Sequence, residues 1–178
     1  PSARSRRLVA SILRQTRTTR PWPQVVDFSF AKRVVDKTWT LCGTIDYLAP
    51  EMVLSTGHDR SADWWAFGIF VYECLTGATP FSGNDPMSTF KAILEAPVDF
   101  PWMFPDEAKT MITGLLERSP VMRLGSMGLG SLDIVESDFF ADIAFADVER
   151  KTVPAPYVPD IRAPDIKSSK SDFDDYYV

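Results

Sequence analysis

Histidine and cysteine are both scarce in this 178-residue sequence, which holds one of the first and two of the second. A single imidazole gives no basis for a His-rich metal site. Two thiols make no disulfide framework, so a reducing compartment is expected, the cytoplasm first and the nucleus as an alternative. Long apolar runs are also lacking. The most hydrophobic stretch, Ala62 to Leu75, is interrupted by Asp63 and Glu73 and is too short to cross a bilayer. No secretory signal is visible, and no membrane partner is expected. Acids are missing from the first 20 positions, which carry six of the 19 basic residues. The remainder has 13 basic against 24 acidic residues, a net of −11. The chain opens on Pro1 rather than Met, as a fragment or a processed product would.

What is present describes a globular chain. With 45% hydrophobic and 24% charged residues, one folded domain is the expectation. Its centre is Arg60 to Gly77. Between Ala62 and Leu75, eleven of fourteen residues are apolar, a density that a helix tolerates only when it is wrapped on all sides. Asp59 or Ser61 can cap its start, and Gly77 can supply a left-handed stop. The spacing predicts further helices over Asp85–Ala96 and Asp106–Glu117, the second with Ala108, Met111, Ile112, Leu115 and Leu116 on one face. Short helices are expected over Leu132–Phe140 and Phe145–Arg150. From Thr152 onward four prolines forbid regular structure.

The head, residues 1–23, is Arg-, Ser- and Thr-rich and ends on Pro21-Trp22-Pro23. It reads as a disordered or adventitious extension, with an organelle transit segment or a basic arm for nucleic acid as alternatives; nucleic acid is not the expected partner. Gln24 to Arg33 predicts two short strands around a turn at Asp27 and Ser29.

Lys37 to Glu51 then runs KTWTLCGTIDYLAPE, and Asp63 to Gly68 reads DWWAFG. In order and spacing this pair closely resembles the activation segment and central helix of AGC-group serine/threonine protein kinases, above all the cyclic-nucleotide-dependent ones. The likeness runs from Val25 through Gly83, more loosely to Phe140, and returns at FDDYY, Phe173 to Tyr177. It implies a mainly α fold, the kinase large lobe, over 24–150. An incomplete C-terminal tail over 151–178 follows, and the small lobe is absent.

The resemblance also implies roles. Asp27 matches the aspartate that holds magnesium on the ATP phosphates, a task suited to a carboxylate because Mg²⁺ is a hard cation; a turn former is its plain alternative. Thr40 matches the activation-loop phosphosite, with Lys32 and Arg33 as basic partners. Leu41, Ile45 and Leu48 match the apolar pocket for the residue after the acceptor. Thr44 matches the hydroxyl that braces the catalytic loop, and Asp63 the helix-start acid that binds that loop's backbone. Glu73 matches the acid that receives a basic substrate residue, or else is a solvated group at a helix end. Glu51 and Arg123 match a buried ion pair beneath the activation segment. Phe173 matches the tail residue that touches adenine, or belongs to an acidic-aromatic tail without structure. His58 is expected at the surface, Cys42 in an exposed loop and Cys74 in the core.

Departures from the family limit the implied activity. No Gly-rich loop, strand lysine or His-Arg-Asp run occurs, Ser29 stands where the family has glycine, and Ile45-Asp46 where it has Pro-Glu. The expectation is a piece of a kinase that transfers the ATP γ-phosphoryl group to Ser or Thr of basic proteins. By itself this piece is expected to be inactive and to bind ATP and magnesium weakly. The alternatives are a non-catalytic binding module, with a kinase regulatory subunit or domain among its partners, and a truncated gene model.

Overall fold

Asp59 begins the element on which the rest packs. In the computed structural model, which describes Val25 and residues 27–154, the Asp59 carboxylate accepts the Ser61 amide at 2.8 Å. That bond satisfies one of the donors a helix start leaves free. The chain then winds from Ser61 to Thr76 and stops at Gly77, which sits at φ 87° and donates its amide to Glu73 O at 2.7 Å. A side chain would strain that left-handed cap, so glycine suits it.

Two short elements precede this helix. Ile45–Tyr47 is a single 3-10 turn. Pro50–Val53 is α1, with Pro50 in its first turn, where a missing N–H costs nothing. The central helix, Ser61–Thr76, is α2; α3 spans Pro86–Glu95, α4 Asp106–Leu115, α5 Ser131–Val135 and α6 Phe145–Glu149, with a 3-10 turn at Asp138–Phe140 between the last two. Asp85 caps α3, accepting the Met87 and Ser88 amides at 2.9 and 3.0 Å, while the Ser88 hydroxyl takes the Asp85 amide. This reciprocal cap is why α3 starts where it does.

The core lies between α2 and α4. Trp65 and Ile69 of α2 and Ala108, Ile112 and Leu115 of α4 are sealed. Gly68 lets the two backbones close: a Cβ there would lie 2.8 Å from Leu115 Cβ and 2.9 Å from Leu116 Cδ2. Trp65 stacks on Phe81 with centroids 5.7 Å apart. Tyr72, Phe100 and Phe104 form a second aromatic group, in which the Tyr72 hydroxyl donates to Asp99 O at 2.6 Å. The face expected on α4 is the face buried.

Several expectations are corrected. The two strands over Gln24–Arg33 do not form among the described residues; Ala31 N donates to Phe28 O in a turn instead. A strand needs a neighbour for its ladder, and the one bridge among the described residues joins Thr38 to His58, with bonds of 2.8 and 2.9 Å. Next, α2 is not wrapped on every side: Asp63 is exposed and Ala66, Phe67, Phe70 and Glu73 are half-buried. Finally, Leu132–Phe140 is broken in two, because the Ser137 hydroxyl donates to Ile134 O at 2.7 Å and competes with helix continuation. His58, expected at the surface, is half-buried, whereas Cys74 is buried as expected and Cys42 is half-buried. No helix among the described residues is long and apolar enough to cross a membrane. The head 1–23 and Phe173 lie outside the described residues.

Candidate functional site

Packing of the 38–51 segment onto α2 sets the geometry of the site. At its base, Glu51 and Arg123 meet as a two-pronged ion pair: Arg123 Nη1 lies 2.7 Å from Glu51 Oε1 and Nη2 2.9 Å from Oε2. Neither is accessible, at 0% for Arg123 and 4% for Glu51. Buried charges persist only when each is matched, and here the matching is complete. Arg123 also donates to the carbonyls of Glu117, Ser61 and Arg118, and its guanidinium lies 5.3 Å from the Trp65 ring centre. Flat, delocalised arginine suits this fork; lysine would not. The pair fastens α1 to the chain beyond α4.

Above it, Tyr47 rises from the 3-10 turn and donates its hydroxyl to Glu73 Oε2 of α2. Burial first, then that hydrogen bond and the Glu73 charge, push the Tyr47 phenol well above its ordinary value. Burial also pushes the neighbouring Cys74 thiol up to about 11, with the Glu73 charge adding to it. The apolar residues beside this contact are graded in exposure, with Leu48 sealed at 5%, Ile45 at the rim at 37%, and Leu41 out in solvent at 57%. Thr44 is exposed; its backbone carbonyl accepts the Tyr47 amide at 3.0 Å.

At the outer end of the segment, the Lys32 ammonium donates to Thr40 Oγ1 at 2.9 Å, and Thr38 Oγ1 lies 3.5 Å from the same atom. A cleft of about 980 Å³ joins these groups, lined by Lys32, Thr40, Thr44, Tyr47, Leu48 and Asp63 among others. Asp27, Leu41, Ile45 and Glu73 do not line it. Arg33 is exposed.

Asp27 is fully exposed and adopts φ 62°, the left-handed region that aspartate tolerates better than most residues. Its Oδ1 accepts the Ser29 hydroxyl at 2.7 Å and the Ser29 amide at 3.3 Å. Those two bonds hold the carboxyl below its ordinary range. Both of these bonds fall on Oδ1 and, among the described residues, none on Oδ2. No three metal-binding side chains among the described residues gather around Asp27. One carboxylate does fit a magnesium carried on phosphates, since that ion keeps most of its waters and takes few protein ligands.

Sequence reasoning missed two contacts, Tyr47 to Glu73 and the Ser29 hydroxyl on Asp27. Tyr47 and Glu73 are 26 positions apart, and no spacing rule joins them. The Ser29 contact had a signal in the Asp-x-Ser order, which favours a side-chain turn.

Comparison with known proteins gives the family. The family model described as protein kinase domain matches residues 10–140. The human cAMP-dependent protein kinase catalytic subunit PRKX is 46% identical over 104 residues, 58% of this chain and 29% of that protein. Cyclic-AMP-dependent protein kinase type 3 of Saccharomyces cerevisiae is 44% identical over 104 residues, 58% of this chain and 26% of its own length. The Drosophila melanogaster cGMP-dependent protein kinase, isozyme 2 forms cD5/T2, is 44% identical over 110 residues, 60% of this chain and 12% of its own. The matched segment therefore spans less than a third of each of these relatives.

Proposed function

The chain belongs to the protein kinase family, and from that premise we propose that residues 24–150 are the substrate-seating large lobe of a serine/threonine kinase. The reaction of such a kinase passes the ATP γ-phosphoryl group to a Ser or Thr hydroxyl of a basic protein. The observation that carries this reading is the buried Glu51–Arg123 pair, which fixes the 38–51 segment on α2 in the register the resemblance implies. Leu48 then forms a closed apolar floor and Ile45 its rim for the residue that follows the acceptor, with Leu41 farther out in solvent. Tyr47 occupies Glu73 Oε2 and leaves Oε1 for an incoming guanidinium. Phosphate on Thr40 would lie against the Lys32 ammonium, and a charge-assisted bond there would stiffen the loop.

Asp27 is the residue that would hold magnesium. The chemistry supplied there would be neutralisation of phosphate charge. The 178 residues contain no His-Arg-Asp run and no Gly-rich loop. Phosphoryl transfer needs base, lysine and metal positioned together. The chain by itself is therefore expected to bind ATP weakly and to act as a binding lobe, with basic peptides and a kinase regulatory subunit or domain as its partners.

The test uses residues 1–178, titrated by fluorescence anisotropy with Arg-rich and Glu-rich peptides of equal length. Preference for the Arg-rich peptide, lost on Glu73→Gln and fading as salt rises, is expected. Equal affinity for the two at low salt refutes the substrate-seating reading. Phosphate transfer above an Asp27→Ala control would refute the claim that these residues lack a complete catalytic set.

A further inference from the structure

Arg118 belongs to no motif, and nothing in the substrate-seating site uses its side chain. It is half-buried just past α4, yet its bonds reach back to α3. Its Nε donates to Ile93 O at 3.0 Å and its Nη2 to Ala96 O. The guanidinium carbon lies 5.9 Å from the Phe81 ring centre. These carbonyls close α3, whose last turn holds no basic residue and ends on Glu95, an acid at the negative end of the helix. Carbonyls at a helix end need donors from elsewhere, and Arg118 provides two from across the fold.

Two further contacts make this more than a cap. The Arg118 carbonyl accepts Arg123 Nη2 at 3.4 Å, the same nitrogen that bonds Glu51 Oε2. Helix α3 in turn packs against α1 and against the 3-10 turn Ile45–Tyr47. One residue thus ties the ion pair to α3, and α3 supports the turn that aims Tyr47 at Glu73. We propose that Arg118 is a positioning residue for the acceptor segment: by fixing the C-terminal end of α3 it holds Ile45, Tyr47 and Leu48 in place on α2. The name acceptor segment rests on the substrate-seating reading; the mechanical coupling does not.

Amide hydrogen exchange on the full chain and on Arg118→Met and Arg118→Lys tests it. The probes are the amides of Ala96, Tyr47 and Leu48, which donate to Ala92 O, Thr44 O and Ile45 O, with Ile69 in the sealed middle of α2 as the control. In Arg118→Met, exchange should quicken about tenfold at Ala96, Tyr47 and Leu48, the scale of one lost hydrogen bond. Ile69 should keep its rate. Arg118→Lys, with one donor head, should recover part of the protection at all three. Acceleration confined to Ala96 reduces Arg118 to a cap and overturns the proposal. Equal acceleration at Ile69 makes it a general stabiliser and overturns it as well, as does unchanged exchange everywhere. Arg-rich peptide affinity measured on the same proteins separates the two claims. If wild type binds no peptide while the exchange pattern holds, the substrate-seating reading falls and the coupling stands.

Discussion

Glu51→Gln and Arg123→Met probe the same ion pair from its two ends, and the structure makes their effects unequal. Glutamine in place of Glu51 keeps the shape of the side chain but leaves a fully buried guanidinium without its counter-charge. Removing one partner of a buried pair costs about 3–5 kcal/mol, and the lower end applies here because Arg123 retains its bonds to the Glu117, Ser61 and Arg118 carbonyls. Methionine in place of Arg123 strands the Glu51 carboxylate at 4% exposure and also deprives those three carbonyls of their donor, which places it at or above the upper end. A whole domain is stable by only about 5–15 kcal/mol, so Arg123→Met should be close to unfolded at 25 °C. Urea denaturation followed by tryptophan fluorescence reads the difference. With a slope of about 2 kcal/mol per molar, the Glu51→Gln midpoint should fall by about 1.5 M. The sharper outcome concerns the double variant. Once the Arg123 guanidinium is gone, a neutral amide in place of the Glu51 carboxylate is better than a stranded charge. Glu51→Gln/Arg123→Met should therefore be more stable than Arg123→Met alone. Additive losses, or a Glu51→Gln shift below about 0.5 M, would show that the pair is not the fastening it is described as.

Gly68→Ala should destabilise by about 1–3 kcal/mol, because its methyl would push Leu115 and Leu116 off the α2–α4 contact; an unchanged melting curve would show that α4 gives way freely. Stability should decline in alkali, since the Tyr47 and Cys74 protons are held more tightly folded than unfolded. For Cys74 the contribution is complete below its ordinary 9.0 and is lost as pH rises through about 11; for Tyr47 the loss begins above 10.0. Tyr47→Phe should therefore flatten the decline above pH 10 in urea titrations, and a parallel curve would count against the Tyr47–Glu73 bond. Thiol labelling at neutral pH should modify the half-buried Cys42 well before the buried Cys74; equal rates would mean that the core opens on the labelling timescale.

Local rules settled the helices. Asp59 before a run of apolar residues, Gly77 after it, Asp85 three positions ahead of Ser88, and the three-and-four spacing from Ala108 to Leu116 each act within a turn or two of chain, so a linear reading captures them. The motif order from Lys37 to Gly68 also pointed to the family, and the resemblance, carried on to Arg123, paired it with Glu51, 72 positions away, which no periodicity could have done. Tertiary structure decided the rest. Gln24 to Arg33 has strand composition, but its described residues find no neighbour to pair with, and Phe28 to Ala31 turns. The Tyr47 hydroxyl could have faced water, and finds Glu73 only because the 3-10 turn rests on α2. Arg118 carries no motif in the sequence, and becomes a fastening only where the end of α3 passes within reach of its guanidinium. A sequence carries the preference of each residue for its near neighbours. Which carboxylate or carbonyl meets a given donor across the fold depends on how the helices pack.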